Sequence, residues 1–466
     1  MLEQLREHST LLVQPQAPID EALKTRLEFA TGTDGAVYEK LLPTKAVIYE
    51  AKVRFYTSGM VESPDLRPTD VDFEEIGRQE AQLLEFKAAL PNISDDPMLA
   101  QVYRWRINEI IGNLRMLRAA GEGDTKRFDA YNRFIYGEPK REIFEATADW
   151  FTNIARGNVT HESPAIRQAA RQVVNLFGKI PGDRGLLIPS DEVFQNIRTQ
   201  HFREGGYYGL LLSGIELPQS GKVTPEIGEI AIEQMLQNLE GEYSRAQNPS
   251  GAYWGISHSR NEFMGPLDYS LPVKRFIGLP LGHEGGSHIL ERMNGMRLPL
   301  RLMGSGLDRY EQGNEGRAVI REQVPYETFE EFARLTRWED ILRRHFAISL
   351  GAGLMGKEMS FSEVYQRVNA VDSLLELLKS PEDVIGANTR ADKRTWDLLQ
   401  RVLKGTDGLG GAYLKDKIYL EGNVACWQLA KEYPELIEYG DLGKFDITNP
   451  RHLGILQAKG ILPVLD

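Results

Sequence analysis

Apolar residues recur every three or four positions through the first part of the chain, which is the spacing of amphipathic helices. Residues 97–123 keep this pattern over a long run and end in glycine, as helices often do. Residues 72–90 begin with acidic side chains, which stabilise a helix N-terminus, and residues 141–156 form a third amphipathic segment. The pattern therefore predicts a mostly helical N-terminal region over residues 1–175.

From residue 176 onward the pattern is more mixed, with glycine and proline between shorter apolar runs. Residues 207–217 and the tetrapeptide KIYL at 417–420 resemble strands, whereas residues 224–246 predict a helix with Pro225 at its first position. Strands and helices do not alternate as in a doubly wound sheet. We therefore expect a predominantly helical α+β fold with a small β-sheet, in which residues 176–466 form a second domain.

The composition is that of a globular protein, with 41% hydrophobic and 26% charged residues among 466. The net charge of −12 argues against a nucleic-acid-binding surface, because such a surface needs a basic face. The single cysteine, Cys426, excludes an intrachain disulfide and a cysteine-based metal site. The first residues lack a basic region followed by a long apolar run, so a secretory signal is not expected. No window approaches 18 uncharged apolar residues, so no transmembrane helix is expected. These features predict a cytoplasmic protein with neither a nucleic-acid nor a membrane partner.

The stretch PLGHEGGSH ends in a pattern that resembles the zinc-protease helix motif H-E-x-x-H with one extra residue. On a regular α-helix, His283 and His288 would lie about 140° apart, too far round to share one ion. A one-residue π-bulge would bring the two side chains together, and such bulges cluster at functional sites. Gly285 and Gly286 would ease this irregularity and allow a substrate backbone to approach.

A second helix is predicted around RAVIREQV, and it supplies further candidates for a metal site. Glu315, at the start of this helix, would complete a His₂Glu ligand set of the kind that binds catalytic zinc. Glu322, seven positions on, would not bind the metal itself but would hold a ligand histidine in place. Glu284 would be the general base for a zinc-bound water. The alternative is that both histidines are hydrogen-bonded structural residues.

Four ordered blocks of the sequence resemble the microtubule-associated tyrosine carboxypeptidases and their bacterial relatives, the QEGLA-motif proteins. They are YNRFIYGEPKREIF at 131–144, GHEGGSHILERMNGMRLPLRL at 282–302, GLDRYEQGNEGRAV at 306–319 and KDKIYLEG at 415–422. The combination is specific, although each block alone would be weak.

This resemblance implies a zinc metallopeptidase with an H-E-x-x-x-H motif, so the extra residue is the spacing of the family. Carried over by position, His283, His288 and Glu315 are Zn²⁺ ligands and Glu284 is the catalytic base. Residues 176–466 would then be a zinc-metallopeptidase-like catalytic domain. The expected substrate is the C-terminus of a peptide or protein.

The chain departs from the family pattern beside the third ligand. Asn314 stands in place of a glutamine, and Arg317 in place of a leucine. Because a charged residue there would alter a substrate pocket, neither the tyrosine preference nor a tubulin substrate is carried over.

A carboxypeptidase needs a cation to hold the terminal carboxylate of its substrate, preferably the fork of an arginine. Lys274, Arg275 and Arg317 flank the two motif segments and are the candidates, with a solvated surface charge as the alternative for each. Tyr419 could donate a hydrogen bond to a tetrahedral oxyanion. Its alternative is a core tyrosine on a strand.

Two other functions are compatible with the same residues. One is a zinc hydrolase that cleaves another amide bond, in a modified peptide or a small metabolite. The other is a non-catalytic binding or regulatory protein with a vestigial site. The sequence defines neither the residue preference of a peptidase nor the oligomeric state.

Overall fold

The computed structural model describes residues 40–93, 96–219, 221–239, 243–247, 253–336 and 338–463. Within these ranges the fold is predominantly helical, as expected, and no helix is both long and apolar enough to cross a membrane. The α-helices are α1 Lys45–Thr57, α2 Phe73–Ile93, α3 Pro97–Glu122, α4 Thr125–Tyr136, α5 Arg141–Arg156, α6 Pro164–Phe177, α7 Asp191–Phe202, α8 Tyr207–Leu211, α9 Pro225–Asn238, α10 Val273–Phe276, α11 Leu290–Arg297, α12 Leu302–Ser305, α13 Glu311–Gln323, α14 Phe329–Leu335, α15 Trp338–Gly351, α16 Phe361–Lys379, α17 Val384–Val402, α18 Lys417–Glu432, α19 Glu435–Tyr439 and α20 Pro450–Ala458. Short 3₁₀ turns lie at Arg184–Leu187, Leu414–Asp416 and Gly440–Leu442.

The strands described form two small sheets near the middle of the chain. In the first, β1 (Lys222–Val223) pairs antiparallel with β5 (Leu271–Pro272). In the second, β4 (Glu262–Gly265) is central, parallel to β2 (Ser244–Gln247) and antiparallel to β3 (Gly255–Ser257). The α+β class with a small β component is therefore confirmed.

Three predicted elements differ from the structure. Residues 207–217 were expected as a strand but begin with the short helix α8, and KIYL forms the first turn of α18. The helix predicted over 224–246 ends at Asn238, and strand β2 follows it. In the first two cases a short apolar run buried on several sides does not distinguish a strand from a helix, so tertiary packing decides between them.

The hydrophobic core extends across the boundary expected near residue 175. Phe55 of α1 packs its ring against those of Phe361, Tyr365 and Trp396, with centroid distances of 5.1, 4.8 and 5.5 Å. One cluster of buried apolar residues includes helices from both halves of the chain. The division into 1–175 and 176–466 stays a prediction, and the N-terminal helices form part of the support of the C-terminal ones.

Two central helices cross closely and place the candidate site. A Cβ added to Gly316 of α13 would lie 2.1 Å from the backbone of Gly422 in α18, so these glycines permit direct backbone contact. The other side of α13 packs against a π-helix, Ile277–Ile289, between α10 and α11. The predicted motif segments thus lie on adjacent helices.

Candidate metal centre

The histidine motif lies in a π-helix of 13 residues, Ile277–Ile289, where a one-residue bulge was expected. The N–H of Leu290 donates to the carbonyl of Gly285, five residues back, as in π-helical geometry. Because this geometry links residues five apart, His283 and His288 lie on the same side, with ring centroids 5.0 Å apart. The extra residue in the motif therefore brings the two imidazoles together.

The two glycines between the histidines are packed against protein and do not face a substrate. A Cβ on Gly286 would lie 1.7 Å from the hydroxyl of Tyr207, and one on Gly285 would lie 2.2 Å from the sulfur of Met235. The expectation that they admit a substrate backbone is therefore wrong. They admit α8 and α9 instead, which hold the π-helix from outside.

Helix α13 brings the glutamates to the histidines. Oε2 of Glu315 lies 3.5 Å from Nε2 of His283, and Oε1 lies 3.8 Å from Nε2 of His288. One donor atom from each of these three residues falls within 4.8 Å of the others. On the opposite side of the first ring, Nδ1 of His283 lies 2.6 Å from Oε1 of Glu322, although the two atoms are not aligned as a hydrogen bond.

Glu315 has an unpaired oxygen and lies at a separation from each imidazole that is close to the separation of two zinc ligands. Ligand atoms bound to one tetrahedral zinc at about 2.0–2.2 Å are about 3.3–3.6 Å apart, close to the separations of Glu315 from the two imidazoles. Oε2 of Glu315 is buried without a hydrogen-bond partner among the described residues. A buried carboxylate oxygen is costly to leave unpaired, so the site fits a cation.

Burial and neighbouring charges set the protonation of the ligands. Burial lowers the pKa of the His288 imidazole to about 3, so the ring is neutral. Burial alone would raise the pKa of Glu315, but His288 and His283 lower it to about 2. Both groups are therefore in the form that a metal ligand needs. Burial opposes a proton on His283, but the carboxylates of Glu322 and Glu315 raise its pKa well above the ordinary value.

Glu284 has the environment of a group that exchanges protons near neutral pH. Burial raises its pKa to about 7; the charge of His283 opposes this shift, and those of Glu315 and Glu322 add to it. Its side chain lines a cavity of about 980 Å³. A carboxyl group with such a pKa at the edge of a cavity suits general acid–base chemistry.

The cavity is lined by aromatic and charged side chains from several elements. They include Tyr253, Trp254, Tyr269, Arg275, His283, Glu284, Glu322, Tyr326, Trp338, Arg344, Arg401, Lys415 and Tyr419. Tyr419 projects from the first turn of α18, so the strand expected for it is wrong, although its place beside the site supports the chemical role suggested for it.

Two of the three predicted cation candidates have protein partners instead. Arg317 is buried and donates to Glu291, to Asp441 and to the carbonyl of Gly440. Nζ of Lys274 lies 2.9 Å from Oε1 of Glu331. Neither side chain lines the cavity, so the substrate contacts predicted for them are not supported.

The third candidate, Arg275, does line the cavity. It forms neither a hydrogen bond nor an ion pair with any residue that the structure describes. Its guanidinium group is therefore accessible to a substrate carboxylate, as the predicted contact requires.

A buried ionic network ties the two motif helices together, and the sequence did not predict it. Glu291 of α11 accepts from Asn314 and Arg317, while Asp441 accepts from Arg317 and Arg321. Arg321 also donates to the carbonyl of Gly286, at 2.8 Å. The network fixes α13, and hence Glu315, against the π-helix. The available signal was the i, i+4 spacing of the two arginines on one helix.

Residues 277–464 match the family model described as microtubule-associated tyrosine carboxypeptidase. Over these residues the chain is similar to that family. The matched range begins at the first residue of the π-helix and includes the three candidate ligands, Glu284 and Tyr419. The resemblance is thus confirmed there, whereas the upstream block at 131–144 lies outside the matched range. Searches of curated proteins and of solved structures give no match.

Proposed function

We propose that the protein is a zinc-dependent carboxypeptidase that hydrolyses the C-terminal peptide bond of a peptide or protein. The observation that carries this proposal is the convergence of His283, His288 and Glu315 within 4.8 Å, next to a glutamate that lines a large cavity. The family description names a tyrosine carboxypeptidase, and this supports the choice of a peptide C-terminus over other amides.

The three residues would hold Zn²⁺ through two imidazole nitrogens and one carboxylate. Zinc, when bound, would polarise a carbonyl as a Lewis acid and make water acidic enough to lose a proton near neutral pH. Glu322, 2.6 Å from Nδ1 of His283, would orient that ring and keep Nε2 directed at the ion.

Glu284 would move the proton in the reaction. Its carboxylate accepts a proton from the water that attacks the scissile carbonyl carbon, and a new C–O bond forms. It then gives this proton to the amine as the C–N bond breaks, releasing the terminal amino acid and a shortened peptide. Burial raises the pKa of this carboxyl group, which favours its taking up a proton from water. The phenol of Tyr419 would donate to the oxyanion that forms in between.

The test is a panel of peptides with free C-termini, differing in the last residue and including tyrosine. Release of that residue is followed by mass spectrometry. We expect Glu284→Gln to lose about 10²–10⁴-fold in kcat/KM while keeping its zinc. The matched control is Glu233→Gln, an exposed glutamate of α9.

Two outcomes would favour the other functions. Equal cleavage of free and C-terminally blocked peptides would support an amide hydrolase of broader type. A protein that binds zinc but cleaves nothing would support the binding role. Separately, full turnover by Glu284→Gln would show that the general-base assignment is wrong.

A further inference from the structure

Four basic side chains line the cavity that Glu284 faces, and two of them already have partners there. Arg401 forms an ion pair with Asp416, and Nζ of Lys415 lies 2.8 Å from Oε1 of Glu311. Arg275 and Arg344 have neither a hydrogen bond nor an ion pair with any residue in the described ranges. These two half-buried guanidinium groups therefore have donors available for a ligand.

Arg344 lines the cavity and is linked to the candidate metal ligands through Tyr419. Its guanidinium is 5.8 Å from the ring centroid of Tyr419. The charge of Glu315 is the strongest influence on that phenol and raises its pKa, so ring and carboxylate are neighbours. Glu315 in turn faces Nε2 of both histidines. A path of adjacent side chains therefore links Arg344 to the proposed metal face.

Arg275 is linked through its neighbours to the Nδ1 side of the His283 ring. The charge of Arg275 acts on Tyr326, whose phenol also feels the carboxylate of Glu322. Glu322 faces Nδ1 of His283, away from the Nε2 that points at Glu315. The neighbours of Arg275 thus lead to the Nδ1 side of His283, whereas those of Arg344 lead to Glu315 and the Nε2 side.

Helix α15 holds Arg344 in a fixed direction. The preceding residue, Arg343, is buried and pairs with Asp340 and Asp372. Consecutive residues on an α-helix point about 100° apart, so anchoring Arg343 in the core directs Arg344 toward the cavity. The nearby carboxylate of Asp416 is already held by Arg401, which leaves the Arg344 fork for a ligand.

We propose that Arg344 binds the α-carboxylate of the last residue of the peptide substrate. This inference rests on the proposed function and specifies it, because such a contact makes the site select free C-termini. A planar guanidinium with free donors binds a carboxylate through two parallel hydrogen bonds, and partial burial strengthens them. Arg344 would be a substrate-binding residue that touches no reacting atom.

The experiment compares one peptide as its free acid and as its C-terminal amide. In the wild type we expect the free acid to be preferred by at least about 100-fold in kcat/KM, since the amide lacks the charge. Arg344→Gln should lose about 100-fold on the free acid, mostly through KM, with little change on the amide. Arg344→Lys should keep part of the preference, because it retains the charge without the fork.

A binding measurement makes the test independent of turnover. In the Glu284→Gln background, fluorescent versions of the two peptides are titrated, and the ratio of their Kd values is compared with and without Arg344→Gln. We expect the ratio to fall to near one in the double variant. Arg171→Gln, which replaces an exposed arginine of α6, is the control for a lost surface charge.

The outcomes separate this inference from the proposed function. If the wild type cleaves peptides and Arg344→Gln keeps the preference for the free acid, the inference is wrong and the function stands. Loss of the preference in Arg275→Gln, but not in Arg344→Gln, would also overturn it. If no peptide is cleaved, the proposed function fails, and equal binding of acid and amide by Glu284→Gln would then overturn the inference as well.

Discussion

Helix α3 and the π-helix are both buried, but they are specified in opposite ways. In α3, the side chain of Asp96 accepts from the N–H groups of Met98 and Leu99, Pro97 occupies the first position, and Gly123 ends the helix at φ 73°. Each of these signals is local and was readable from the sequence.

The π-helix instead contains features that disfavour a helix, among them Pro280 and several glycines. Its geometry depends on side chains from distant elements. Tyr207 donates to the carbonyl of Gly282 at 2.7 Å, and Arg321 donates to that of Gly286 at 2.8 Å. The candidate site thus lies where tertiary contacts overrule local preference, as is common at functional sites.

The largest expected effect comes from breaking the network that holds the π-helix. Arg317→Met would leave the fully buried Glu291 without a cationic partner and Asp441 with Arg321 alone. We expect a loss of about 3–5 kcal/mol in the free energy of unfolding. The matched change in α3 is Arg115→Met. Arg115 forms an ion pair with Glu80, and this pair is partly exposed. It should cost about 1 kcal/mol or less. Equal losses in urea denaturation would contradict the comparison.

Glycine substitutions should have opposite signs in the two kinds of helix. Gly286→Ala places a methyl group against the Tyr207 hydroxyl, and overpacking of this kind should cost up to about 3 kcal/mol. Gly77→Ala, in the regular helix α2, meets nothing closer than 3.5 Å and should gain up to about 1 kcal/mol through helix propensity. Thermal unfolding of both variants measures this, and a gain from Gly286→Ala would show that the π-helix can move away from α8.

Acid should weaken the contacts that Asp308, just before α13, makes with Arg451 and His452. Burial alone would raise the pKa of Asp308, but His452 and Arg451 lower it to about 2. Because the folded-state pKa lies below the ordinary 3.8, the stabilisation is fully present above pH 4 and is lost as the pH falls toward 2. It amounts to about 2 kcal/mol. The deficit of Asp308→Asn against wild type should therefore shrink over that range, and a constant deficit would refute the assignment.

The smallest effect concerns the cap of α3. Asp96→Ala removes the acceptor for two backbone N–H groups and should cost about 1 kcal/mol. Asp96→Asn keeps an acceptor and should recover most of that loss, which separates capping from the ion pair with Lys459. If both variants lose the same stability, the ion pair and not the cap is responsible.

The helices were predictable because their signals are local, and the candidate ligand set was predictable from the histidine motif together with the family resemblance. Residues 141–156 have the bounds of α5, and the H-E-x-x-x-H spacing with Glu315 brings together three residues that the structure places side by side. The strand expected for KIYL failed because a short buried apolar run carries no period. Arg317 was misplaced because its partners, Glu291 and Asp441, are far along the chain, and only the fold brings them together.

The most direct test of the account is the zinc content of the purified protein by mass spectrometry, for wild type, Glu315→Ala and Glu284→Gln. We expect about one zinc per chain in the wild type and in Glu284→Gln, and a loss of bound zinc in Glu315→Ala. Zinc absent from the wild type, or retained equally in Glu315→Ala, would contradict the assignment of His283, His288 and Glu315 as one metal site.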